Sequence, residues 1–199
     1  MAISKKLVKL VTLTGATPIL FDRYAGDNKT QLSPDQKLYL EKRGNDRIVC
    51  LPALNILSFL TAQNTESAPK LLLDKRDYKQ VCSALAACVS FDQSMIPFLR
   101  DGKPIKFGEF TEEDGTYDPV SGIRVVFHVA RLDKGIPNPK IRPQLDIPWS
   151  LQFKMTILPH KDLTVEQIEN LFIDGGALLG LGTYRKVFGK FTFSWEDSK

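Results

Sequence analysis

Histidine is almost missing from this chain: His128 and His160 are the only two in 199 residues. Cysteine is scarce as well, and Cys50, Cys82 and Cys88 fall at no metal-ligand spacing. No serine sits in a nucleophile elbow, no lysine follows a glycine loop in Walker fashion, and no dinucleotide fingerprint opens a helix after a strand. Nucleophilic, zinc and nucleotide-cofactor chemistry are thereby left without their usual residues, and neither metal nor cofactor is expected. The acidic run Glu112-Glu113-Asp114 reads as a solvated loop tip, because adjacent carboxylates point different ways. The two histidines are the sole candidates for a general acid or base. His128 lies inside an apolar strand and suits a sheet position, whereas His160 falls in the turn Pro159-His160-Lys161-Asp162.

Long apolar runs are lacking too. The start, Met1-Ala2-Ile3-Ser4-Lys5-Lys6, leads into a short apolar stretch broken by Lys9, with no signal-peptide core and no bilayer span. A soluble cytoplasmic protein with reduced, buried thiols is expected, without a membrane partner.

What is present is an ordinary globular balance, 43% hydrophobic and 25% charged, with a formal net charge of +4. Mild basicity suits a nucleic-acid partner and equally a plain solvated surface. Leu7 to Leu13 reads as a first strand, with Ile19 to Phe21 able to continue pairing. Residues 22–37 read as a loop with a helical turn started by Ser33. Arg47 to Pro52 is a strand, after which the period changes and Leu54, Leu57 and Leu60 mark a helix. A second helix follows Asp77. Ile105 to Leu132 is expected to form a long hairpin with a polar tip. Lys134 to Pro143, rich in proline, is expected to be an extended basic linker.

The last third carries the clearest signals. Trp149, Leu151, Phe153, Met155 and Ile157 alternate with polar residues, which predicts a strand with one apolar face. Thr164 and Gln167 form a capping box ahead of an amphipathic helix. Gly175-Gly176 inside that helix predicts close packing of its backbone. A turn then runs Gly180-Leu181-Gly182-Thr183-Tyr184-Arg185-Lys186-Val187-Phe188-Gly189-Lys190, before a final strand through Phe191, Phe193 and Trp195. Glycine permits close backbone approach, either to phosphate or to another part of the same chain. With its basic and aromatic residues the turn suits single-stranded nucleic acid, where bases stack and phosphates pair. Candidate contacts are Tyr184, Arg185, Lys186 and Lys190, the glycines Gly180, Gly182 and Gly189, and the linker residues Lys134, Lys140 and Arg142.

The predicted class is α+β, a ferredoxin-like (RRM-like) β-α-β-β-α-β core in one domain spanning 1–199, with an insertion over 96–143. Gly180-Leu181-Gly182, followed by a basic stretch and Phe188-Gly189-Lys190-Phe191, resembles the C-terminal glycine-rich loop of the RAMP superfamily. Its members are ferredoxin-like RNA-binding proteins that form CRISPR effector backbones and process guide RNA. The stretch Arg47 to Leu60, with Leu51-Pro52-Ala53-Leu54-Asn55-Ile56-Leu57-Ser58-Phe59 at its centre, looks like the strand, proline and helix start of the backbone branch. Both stretches are also similar to those in a group of bacteriophage proteins. The loop departs from the family pattern at Val187, and Asn55 and Ser58 stand where the backbone motif has its glycine and arginine. The resemblance implies a non-catalytic protein binding single-stranded DNA or RNA in a bacterial or phage-infected cell, assembling side by side as a homo-oligomer. It also implies two alternatives: a guide-processing endoribonuclease using His128 or His160, and a phage protein-interaction module or inhibitor of host defence.

Overall fold

The structure, a computed structural model, describes residues 6–27, 29–111, 115–131 and 137–198. The predicted elements of the C-terminal third are present. They are β12 (Ser150–Ile157), α4 (Val165–Leu178) and β13 (Phe191–Asp197). Thr164 accepts the Gln167 N–H (3.1 Å), and Gln167 Oε1 accepts the Thr164 N–H (2.8 Å), closing the capping box. The chain begins with β1 (Leu7–Gly15), which pairs antiparallel with both β12 and β13.

Between them run β2 (Ile19–Leu20), a 3₁₀ turn at Asp35–Lys37, β3 (Leu40–Arg43), β4 (Asp46–Pro52), α1 (Ala53–Thr61), α2 (Ala68–Leu72) and α3 (Tyr78–Cys88). Then come β5 (Val89–Phe91), β6 (Met95–Arg100), β7 (Lys103–Pro104), β8 (Lys106–Phe107), β9 (Tyr117–Asp118), β10 (Ile123–Arg131) and β11 (Pro137–Leu145). A nine-stranded sheet follows the order β13-β1-β12-β6-β4-β3, with β5 also on β12, β7 on β6 and β8 on β4; a four-stranded sheet follows β2-β11-β10-β9. Every pairing among the described residues is antiparallel, so the molecule is α+β with four helices.

The helices cover one face of the large sheet. Phe59 of α1 packs on Phe172 of α4 (5.8 Å between ring centroids) and on Phe191 (5.6 Å), and Phe172 stacks on Phe193 at 4.8 Å. The glycine pair of α4 sits in this layer. A Cβ on Gly175 would come 2.7 Å from Ala68 Cβ, and one on Gly176 would come 2.7 Å from Phe191. The opposite face is polar: Thr14, Gln152, Lys154, Thr192, Ser194 and Glu196 are all exposed.

Two expectations are overturned by the pairing. Ile105 to Leu132 does not close into one hairpin, because β8 pairs with β4 while β10 pairs with β11. The proline-rich stretch is not a linker from Pro137 onward but a full strand, in register from Arg131↔Pro137 to Arg124↔Gln144. Its prolines explain how this is possible. Pro137, Pro139 and Pro143 share one parity, and the Pro143 carbonyl accepts from Phe21 N–H (3.0 Å) on the side away from β10. Residues of that parity turn their backbone groups outward, so their missing N–H groups cost the β10–β11 ladder nothing. Ile19 to Phe21 pairs with this strand, not back onto β1. The short helix α2, which the sequence pattern did not mark, is capped by Ser67, whose side chain accepts the Lys70 N–H.

Candidate functional site

The glycine turn is closed on itself. Leu181 N–H donates to the Gly189 carbonyl (2.9 Å), Lys186 N–H to the Leu179 carbonyl (2.7 Å) and Phe188 N–H to the Tyr184 carbonyl (3.3 Å). Three more donors fasten it to the segment after β1. Thr183 N–H reaches the Leu20 carbonyl (3.1 Å), Gly189 N–H the Pro18 carbonyl (2.7 Å) and Lys190 N–H the Thr17 hydroxyl (2.9 Å). Many of the N–H groups that a phosphate would use are therefore taken within the chain. Gly180, Gly182 and Gly189 all have left-handed backbone, φ 78, 77 and 72. A Cβ on Gly182 would come 2.6 Å from the Leu20 carbonyl, and one on Gly189 would run into the Leu181 carbonyl. These glycines serve the packing of the joint.

Two residues in the same turn do not obey that logic. Tyr184 (φ 54) and Lys186 (φ 72) also have left-handed backbone. For an L-residue this conformation costs roughly 1–2 kcal/mol. The Lys186 side chain is 54% exposed, so burial offsets little of this there; Tyr184 is 41% exposed, with one side of its ring on His128 (5.9 Å) and Phe188 (5.7 Å) and the rest open to solvent. Lys186 Nζ lies 3.6 Å from Glu66 Oε1 in an exposed pair.

Arg185 between them turns inward. Its Nη1 donates to the Glu66 carbonyl (2.9 Å) and its Nε to the Gly182 carbonyl (3.3 Å). Burial pulls its pKa below the usual arginine value, with Glu66 opposing the shift.

The β10–β11 hairpin lies over the turn. The His128 ring sits 5.9 Å from Tyr184 and 5.2 Å from Phe188. Its Nε2 is enclosed, with no hydrogen-bond partner among the described residues. Lys140 stands opposite His128 across the hairpin and is half-buried. Arg142 is buried, and its Nε donates to Asp22 Oδ2 (3.0 Å). Lys37 Nζ lies 3.6 Å from the other Asp22 oxygen and donates to the Ile141 carbonyl (2.5 Å). Lys190 is half-buried at the base of the turn, and Lys134 and the acidic run 112–114 lie outside the described residues.

His160 occupies a different place, the turn before α4, where its Nδ1 accepts the Asp162 N–H (3.2 Å). Among the described residues no hydrogen bond or ring contact joins it to His128. No group of three or more His, Cys, Asp or Glu among the described residues is placed to hold a metal ion. None of the described helices is long and apolar enough to cross a membrane. Among the described residues the open face of β1, β12 and β13 offers threonine, serine and glutamine and no aromatic ring, since Phe191, Phe193 and Trp195 lie on the helix side of β13.

Sequence reasoning missed a second feature. A cleft of about 460 Å3 runs between residues 22–27 and 29–37 and the outer edge of β11, lined by Arg23, Tyr24, Lys29, Lys37, Lys140 and Ile141 among others. The signal was the adjacency of Arg23 and Tyr24 in a polar, glycine-containing loop, the same pairing of cation and ring that marked the glycine turn. No protein-family model and no curated protein matches the sequence.

Proposed function

We propose that the protein binds single-stranded nucleic acid without cutting it. The observation that carries this is the backbone of Tyr184 and Lys186. Glycine would take both positions without strain. Strain of this kind persists where a side chain is needed for something else. Here the strained residues offer solvent a ring and a cation, the two groups that bases and phosphates engage. Lys140, opposite His128 whose ring meets Tyr184, extends the positive surface. Arg185 and Arg142 act as braces beneath it, and Gly180, Gly182 and Gly189 shape it.

The strand order supports a ferredoxin-like core. β1, β12 and β13 with the broken strand β5/β6, linked through α3 and α4, follow a β-α-β-β-α-β path, and the β10–β11 hairpin is then the insertion of a RAMP-like domain. Side-by-side assembly of copies belongs to the same reading. Among the described residues no strand pairs with the outer edge of β10 beyond Val125, and Phe127 and Val129 there are exposed. A non-cutting role fits His128, whose Nε2 is enclosed between rings with no opening to a substrate proton.

The test is anisotropy of labelled single strands, DNA and RNA, against salt. Binding should weaken steeply with salt, and Lys186→Gly should flatten the slope by about 0.7. Tyr184→Gly should weaken binding by about 1–3 kcal/mol. A wild-type protein with no salt-sensitive affinity for either strand would sink the proposal. So would RNA cleavage that disappears in His128→Ala, which would favour the endoribonuclease.

A further inference from the structure

The cleft beside β11 carries a charge pattern that its own ion pairs do not use up. Four cations line it, Arg23, Lys29, Lys37 and Lys140, against two carboxylates, Asp22 and Asp27. Asp22 is engaged by Arg142 and Lys37. Asp27 faces its own loop, accepting the N–H groups of Thr30 and Lys29 (2.6 Å each) and the Thr30 hydroxyl (2.8 Å). The Thr30 amide first, then its hydroxyl and the Lys29 amide, hold this carboxylate below the usual range. Arg23, Lys29 and Lys140 have no ion-pair partner among the described residues.

A ring and an apolar wall accompany these cations. Tyr24 is 64% exposed, and Ile141 is half exposed across the cleft from it. The volume falls within the ~300–1,000 Å3 typical of sites for small ligands. Bare cations would suit any anion, and an acidic peptide would not need the ring. Cations with a free aromatic face suit a nucleotide, whose phosphate and base require both.

We propose that this cleft holds one nucleotide of a bound single strand. Its base stacks on Tyr24 and its phosphate lies among Arg23, Lys29 and Lys140. The inference rests on the nucleic-acid reading above, and Lys140 connects the two. It lines the cleft and stands opposite His128, whose ring meets Tyr184. A strand crossing the glycine turn thus continues into the cleft.

The experiment uses the full chain with labelled oligothymidine, oligouridine and a duplex of mixed sequence. Tyr24→Leu should weaken single-strand binding about 5- to 150-fold while leaving duplex binding unchanged. Arg23→Gln with Lys29→Gln should lower the single-strand salt slope by about 1.4. A photoreactive strand containing 4-thiouridine should crosslink to the peptide bearing Tyr24. All three side chains are exposed, so thermal melting should be unaltered.

Wild-type affinity and slope in these variants, with binding lost in Tyr184→Gly, would overturn the cleft and leave the nucleic-acid reading standing. Equal losses for duplex and single strand would also overturn it, because a plain charged surface then suffices. Failure of the unaltered protein to bind any strand overturns both.

Discussion

A left-handed backbone at residue scale means opposite things along one turn. At Gly189 the joint needs the missing Cβ, because the Leu181 carbonyl occupies its place. Gly189→Ala is therefore expected to destabilise by at least about 1–3 kcal/mol, read as a lower midpoint in urea. Lys186→Gly should leave that midpoint level or raise it by up to ~1 kcal/mol, because strain is relieved while little burial is lost; Tyr184→Gly also sheds ring contacts with His128 and Phe188, so its strain relief is offset and the midpoint should stay within about 1–2 kcal/mol of wild type. A marked loss of stability in either glycine variant would instead make the side chain structural.

The thiols give a second residue-scale test. Burial, with the nearby Glu41 adding, pushes the Cys50 thiol from 9.0 up to about 11. The folded state thus favours the protonated form. Its contribution is complete below pH 9 and disappears as the pH rises through about 11. Denaturation midpoints should fall across that window. Cys82 and Cys88 are raised by burial too. At pH 8 iodoacetamide should leave all three thiols intact in the native protein and modify them in urea.

At the scale of elements, periodicity was a good guide wherever one face alone is buried. β12 alternates as its sequence does, and α4 begins at the capping box. Thr164→Ala should cost about 0.5–2 kcal/mol in thermal or urea melting. Proline misled in β11, because composition says nothing about which edge of a strand faces its partner. Prolines two and four residues apart keep one parity, and that parity points away from β10. Moving a proline by one residue should show this. Lys140→Pro would remove an N–H on the β10 side and disrupt the hairpin, seen as loss of amide-exchange protection over 124–130. Substituting Pro139 with alanine should leave that protection unchanged.

Across the whole molecule, one ion pair ties distant parts of the chain together. Asp22, just beyond β2, joins Arg142 in β11, and Lys37 from the far end of the loop reaches the same carboxylate. Asp22→Ala would leave Arg142 buried without its partner. Breaking one side of such a pair costs about 3–5 kcal/mol. The urea midpoint should fall accordingly. A change below ~1 kcal/mol would mean that Arg142 finds water instead.

The sequence by itself determined the local grammar: strands β1, β4, β12 and β13, helices α1, α3 and α4, the capping box, and a glycine turn needing close approach. Each depends on residues near in sequence, through period, caps and backbone freedom. Tertiary structure alone decided what approaches what. It turned Arg185 and Arg142 inward, set Leu20 and Leu181 against the glycines, made a strand of the proline stretch, and brought Arg23, Tyr24 and Lys29 to one cleft with Lys140. Those outcomes depend on strand register and on partners chosen across the fold, as in the 120-residue separation of Asp22 and Arg142. No local pattern encodes such a distance, because burial and partner choice are properties of the assembled sheet.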